Sequence, residues 1–253
     1  MKKVLLALAS LLLLSLPLPA QAHLFWLLPE PGVSTTAQPV QVEIGFGHKF
    51  PKDEELKPDR LEFLKVLSPD GKEVPLKPLA QTRYEFTPTQ TGTYLILAQM
   101  RPGFVSRTPE GMKMANKKEA PNATNCFRFD FAAKTLVTVG QTTQGSDRPV
   151  QTSLEIVPLQ STAALKAGEE LPVRVLFQGK PLADVEIKAT HDQWQDPKEM
   201  FAVTGKTDAQ GEYRLKLSTP GQWLLAVYHK TPYHDPAECD ENMYLGTLSL
   251  KVK

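Results

Sequence analysis

Apolar and polar residues alternate along much of the chain. Val40, Val42, Ile44 and Phe46 fall on one side of an extended segment, with Gln41, Glu43, Gly45 and Gly47 between them. Successive strand residues face opposite sides, so this period of two predicts a half-buried strand. Residues 61–67 predict a second strand, closed by the turn Ser68-Pro69-Asp70-Gly71. Residues 83–86 and 93–98 predict two more, around the turn Gln90-Thr91-Gly92. Between Met100 and Cys126 the periodicity disappears into polar, basic and turn-forming residues. A long loop near 100–126 is expected there, and loops of that length are often functional. Strand character returns over 127–139, and the Gln, Thr, Gly, Ser and Asp of 141–149 read as a linker.

The second half repeats the pattern. Residues 154–159, 171–177 and 183–189 predict strands, the last two joined at Gln178-Gly179-Lys180-Pro181. Thr207-Asp208-Ala209-Gln210-Gly211 turns into 212–217, Pro220-Gly221 turns into 223–229, and residues 244–252 close the sheet. Short strands with turn signals every ten or so residues predict an all-β chain of immunoglobulin-like sandwiches. The linker divides it into an N-terminal sandwich over 23–145, carrying the long loop, and a C-terminal sandwich over 146–253.

The start of the chain departs from this pattern. Lys2 and Lys3 precede an apolar run over 4–18, and Ala20-Gln21-Ala22 has the small-x-small form of a cleavage site. Residues 1–22 therefore read as a secretory signal peptide. The run is short for a membrane span and no second one follows, so a periplasmic protein with no span after cleavage is expected. Cleavage after Ala22 would make His23 the first mature residue. Its α-amine and ring Nδ1 could then chelate one metal ion, and both lose protons near neutrality.

Composition narrows the choice of partner. The 253 residues carry 29 Lys and Arg against 28 Asp and Glu, a formal net charge of +1. This balance gives no electrostatic case for binding nucleic acid or an anionic membrane. The two cysteines, Cys126 and Cys239, could form one disulfide in an exported protein. No zinc-finger spacing, zincin helix, nucleophile elbow or dinucleotide fingerprint is present.

The histidines carry the chemistry. His48 continues the row Val40, Val42, Ile44, Phe46, and His229 continues Trp223, Leu225, Val227. His191 likewise continues Val185, Ile187, Ala189. Each emerges where an apolar row leaves the core, so rigid strands would hold the imidazoles. The expected metal site is His23, His48 and His229, with His191 and His234 as second-tier candidates. His234 opens the ligand-dense stretch 234–241, which reads as a solvated acidic loop, as does the charge run 52–57. Met100, Met112 and Met114 offer thioethers that suit copper(I), though anchoring the loop is the simpler role.

Two resemblances add to this reading. Gly179-Lys180-Pro181-Leu182-Ala183-Asp184-Val185, Thr207-Asp208-Ala209-Gln210-Gly211-Glu212-Tyr213 and Pro220-Gly221-Gln222-Trp223 resemble the transthyretin-like, carboxypeptidase-regulatory module, a Greek-key sandwich. Residues 22–29, 45–50 and 221–229 are similar to a bacterial periplasmic family associated with nickel and cobalt uptake. That resemblance implies a divalent-metal-binding protein, with nickel or cobalt as cargo and a membrane metal transporter as partner. Copper or zinc would suit the same ligands. Two further readings remain open. One is a copper-dependent oxidative enzyme with an N-terminal histidine brace, and the other a structural or adhesion module without catalysis.

Overall fold

A computed structural model of the protein describes residues 23–141, 145–196 and 198–253. The expected signal peptide, residues 1–22 with the whole of the cleavage motif, lies outside the described residues. Apart from one 3-10 turn at Pro58–Arg60, the regular structure among the described residues is strand. The expected all-β class is what the chain adopts.

The strands form three layers. The central one is an 11-stranded sheet. Its main path runs Val203–Lys206, Glu186–His191, Gly221–Pro232, Glu241–Val252, Asn125–Val139, Gly92–Met100, Leu61–Leu67, Glu73–Val74. One flanking sheet comes from early segments: Leu24–Glu30, Val40–Gly47, Arg83–Phe86 and Lys77–Pro78. The other comes from late ones: Leu154–Pro158, Glu170–Phe177 and Lys180–Pro181, with Glu212–Lys216 beside Glu170–Phe177. A boundary near residue 145 thus separates the flanking sheets, whereas the central sheet takes strands from both sides of it. The junction is the parallel pairing of Asn125–Val139 with Glu241–Val252, from Phe127 opposite Glu241 to Thr135 opposite Ser249.

Side-chain alternation builds two cores from this one sheet. In Gly221–Pro232, Leu224 and Ala226 join the core under the early flanking sheet, while Trp223, Leu225 and Val227 join the core under the late one. In Gly92–Met100, Tyr94, Ile96 and Ala98 face the first core and Leu95 the second. Strands buried on both faces read as continuous apolar runs rather than alternation. Asn125–Val139, buried at every position from Phe131 onward, is the clearest case.

The segment expected to be an irregular loop is partly sheet. Gly103–Thr108 pairs with Gly111–Lys113 on one side and with Asn125–Val139 on the other. The remainder is a strap stitched to residues 234–241. Cys126 and Cys239, separated by 113 positions, form a disulfide. Lys118 Nζ lies 3.0 Å from Asp235, and Asn116 Nδ2 donates to Glu238 at 3.2 Å. Lys117 pairs with Asp240, whose carboxylate also accepts the Cys126 N–H at 2.8 Å. Asp235, Glu238 and Asp240 therefore serve the strap, while Glu241 pairs with Lys230. The Lys117 ammonium, first, and the Cys126 N–H hold the Asp240 carboxyl below its ordinary range.

Candidate metal centre

His23 and His48 meet at the end of one antiparallel ladder. Leu24–Glu30 pairs with Val40–Gly47 in a register that sets Leu24 opposite Gly47. One step further the same register brings residue 23 to residue 48. The two imidazoles lie with centroids 4.1 Å apart, and His23 stacks on Phe46 at 4.7 Å and 6° between planes. The His23 carbonyl accepts from the Tyr228 hydroxyl at 3.4 Å. Burial pushes the Tyr228 phenol well above its ordinary pKa, which keeps that proton in place.

After Gly47 the chain reverses, and the reversal brings up a third candidate ligand. Gly47 has φ of +126°, and a Cβ there would overlap the Asp53 side chain. A side chain would thus be both strained and obstructed. Asp53 Oδ2 accepts the backbone N–H groups of His48 at 2.6 Å and Lys49 at 3.1 Å. The Trp26 indole N–H donates to the Pro51 carbonyl at 3.1 Å, holding the far side of the turn. That indole occupies the place where a side chain on Gly45 would project. The chain then returns so that the Glu54 N–H donates to the Phe46 carbonyl at 3.0 Å. This sets Glu54 Oε1 3.3 Å from His23 Nε2.

One ligand atom from each of His23, His48 and Glu54 lies within 4.8 Å of the others. Burial, first, and the neighbouring His23 hold His48 below the usual imidazole pKa, against the opposing pull of Asp53 and Glu54. Its ring is therefore neutral near pH 7, with a lone pair to offer.

The remaining histidines lie elsewhere, and His229 corrects the expected triad. The rows that end in His48 and His229 both point inward, but into different cores. Val40, Val42 and Ile44 belong to the first, while Trp223, Leu225 and Val227 belong to the second. Tyr228, one residue earlier, is the one that reaches His23. His229 packs its ring on Phe177 at 4.6 Å, and burial lowers its pKa. His191 follows the second core too, 4.8 Å from Trp223, and burial likewise lowers its pKa despite the nearby Asp192. His234 is exposed beside Tyr233. Glu54, in contrast, lies in the charge run expected to be solvated. Its signal was the short return: a Gly-x-Gly-His strand end and a proline, with a carboxylate six residues past the histidine.

A cavity of about 770 Å3 opens beside this cluster, with His23 and Glu54 in its wall. Its floor is apolar, from Met100, Val105, Phe127, Phe129, Phe131 and Met243.

A family model described as a domain of unknown function (DUF4198) matches residues 20–231. No curated protein matches at a significant level. Among solved structures, the D0-D1 domain of intimin is 12% identical over 91% of this chain and 100% of that one, with a TM-score of 0.24. A two-domain fibronectin type III segment from chicken tenascin is 13% identical over 87% of this chain and 95% of that one, with a TM-score of 0.22. The fibronectin(III)-like modules of Clostridium thermocellum CbhA are 10% identical over 90% of this chain and 94% of theirs, at 0.21.

Proposed function

The chain belongs to the family of the DUF4198 domain of unknown function, and we propose that it is a periplasmic protein that binds a divalent transition-metal ion between His23, His48 and Glu54. The observation that carries this reading is the approach of the three ligand atoms to within 4.8 Å of one another. Ligands around one ion with bonds of roughly 2.0–2.2 Å lie about 3.3 Å apart, so small side-chain rotations would close the site. Two imidazoles and a carboxylate suit late first-row ions, and affinity alone does not choose among them. Cleavage after Ala22 would add the α-amine of His23. Nickel or cobalt, delivered to a membrane transporter, follows from the family resemblance, and copper or zinc are the alternatives.

The test is calorimetric titration of the chain beginning at His23 with each of the four metals. His48→Ala and Glu54→Ala should each weaken binding by at least about tenfold. His229→Ala and His234→Ala should leave it unchanged. One extra residue ahead of His23 should weaken it as well, because the amine becomes an amide. Tight binding that survives His48→Ala and Glu54→Ala would refute the site. No binding of any metal would leave the structural-module reading.

A copper-dependent oxidative enzyme is a second reading, favoured by the open aromatic-lined cavity beside His23. It requires that the copper-loaded protein consume hydrogen peroxide in the presence of an organic reductant. A metal carrier would not turn over.

A further inference from the structure

We infer that the cavity beside His23 binds an amphipathic organic anion, a carboxylate bearing an aliphatic or aromatic tail, and that it does so without a metal. This goes beyond the metal reading and does not depend on it. The cavity, at about 770 Å3, falls in the size range of small-molecule sites, roughly 300–1,000 Å3. Such sites are mostly apolar with a few convergent polar groups.

Two features of the wall define the occupant. The first is apolar surface left in water. Among the described residues the two most exposed large apolar side chains are Met112 at 54% and Met114 at 57%, and both stand in the wall of this cavity. Below them lie Val105, Phe127 and the buried Phe129, Met100 and Met243. Methionine is flexible and polarisable, and it lines surfaces that adapt to ligands of varied shape. Covering that surface with a hydrocarbon tail removes it from water.

The second feature is charge. Lys57, Arg60, Arg107 and Lys230 also line the cavity, with Glu54, Glu55 and Glu241. Lys230 is paired with Glu241 at 2.6 Å, and Glu54 shares a hydrogen bond with His23 at 3.3 Å. Lys57, Arg60 and Arg107 form no ion pair among the described residues, and Glu54 and Glu55 are left to oppose them, so the lysine, arginine and glutamate side chains of the lining sum to one positive charge. The Arg60 guanidinium lies 5.2 Å from the centroid of the Phe129 ring, at the seam between cationic rim and aromatic floor. A negatively charged head at the rim with a tail along the floor satisfies both features. A neutral molecule satisfies only one, and a cation meets repulsion.

The test uses the full mature chain, disulfide intact, in a chelator. Decanoate is titrated by calorimetry beside decanol and decyltrimethylammonium. Decanoate should bind saturably at one site, more tightly than either analogue. The double charge reversal Lys57→Glu with Arg107→Glu changes two exposed side chains and should keep the urea midpoint. It should weaken decanoate by about tenfold or more and leave decanol unchanged. Methyl NMR locates the ligand. Resonances of Met100, Met112, Met114 and Met243 should shift, while Met200, which does not line the cavity, should not. The inference is overturned by an absence of saturable decanoate binding, by equal binding of the cationic analogue, by an undiminished affinity in the charge-reversed protein, or by shifts confined to Met200.

Discussion

Lys134 and Glu155 form an ion pair whose removal should reveal how the two halves of the chain are joined. Lys134 lies on Asn125–Val139 in the central sheet, and Glu155 on Leu154–Pro158 in the late flanking sheet. Their side chains are 3% and 2% exposed, with Nζ 2.6 Å from Oε1. The carboxylate also accepts the N–H of Val150 at 3.0 Å and of Gln151 at 3.2 Å. Burial pulls the Lys134 ammonium below its ordinary pKa, and Glu155 pulls it back up. At an effective dielectric of about 20 the attraction across this separation is about 6 kcal/mol gross. Desolvation, at several kcal/mol per ion, cancels most of it, so the intact pair adds little net stability. Breaking it is another matter. Lys134→Met leaves a buried carboxylate that keeps its two backbone donors, and should cost about 3 kcal/mol, the low end for a broken buried pair. Glu155→Leu leaves a buried ammonium unpaired and two N–H groups without acceptors, and should cost about 5 kcal/mol.

The double variant decides whether the charges or the packing matter. With both ions gone, only the two orphaned N–H groups remain, so Lys134→Met with Glu155→Leu should be less destabilised than Glu155→Leu alone. Urea is the denaturant to use, since it leaves ionic strength unchanged. Midpoints at constant slope give the three free energies. The reasoning fails if both single changes cost under about 1 kcal/mol, or if the double change costs the sum of the singles.

Three further outcomes follow from the geometry. Trp26→Phe removes the donor to the Pro51 carbonyl, a bond of about 1 kcal/mol. If that bond positions Glu54, metal affinity should fall by about fivefold while His23 and His48 keep their contact. Replacing Cys126 and Cys239 by serine opens a link spanning 113 positions, which chain entropy values at up to about 4–5 kcal/mol. Thermal unfolding should drop accordingly, and decanoate binding, which needs Met114 on the strap and Met112 on the strand leading into it, should suffer more than metal binding. Asp240 has a depressed pKa in the folded chain, so what it contributes is present above the unfolded carboxylate pKa and lost as pH falls through the folded one. Hydrogen-exchange protection of the Cys126 amide should therefore hold at pH 5 and decline below about pH 4. Unchanged protection at pH 2 would remove Asp240 from that role.

The strands were readable in sequence because each half-buried one repeats with period two, as Val40–Gly47 does. Their partners were not. Alternation fixes which residues share a face and says nothing of which strand lies alongside. The parallel pairing of Asn125–Val139 with Glu241–Val252 joins segments more than a hundred residues apart, and no turn between them marks it. Gly103–Thr108 escaped for another reason. Its Ser106 and Thr108 are buried polar residues whose hydroxyls donate to the carbonyls of Ala115 and Gly111. A hydrophobic count scores such positions as solvent-facing.

The same distinction separates His48 from His229. Both were read as residues that continue an inward row where it leaves the core, but a central sheet with two buried faces has two insides, and the strand of His229 runs on to Pro232. Parity along Gly221–Pro232 assigns His229 to the side of Trp223 and Phe177 and gives the other side to Tyr228. In a two-layer sandwich the three histidine rows would have shared one interior. The third layer separates the row of His48 from those of His191 and His229. What replaces His229 is Glu54, brought back by Gly47, Asp53 and the Trp26–Pro51 bond. Each anchor is a single contact between residues that look unremarkable alone. The candidate ligands are thus held by a strand end and a braced turn on one edge of the early flanking sheet, and the cavity beside them is walled partly by the disulfide-tied strap. Metal and organic ligand would be gripped by different elements, so the two bindings should prove separable by mutation.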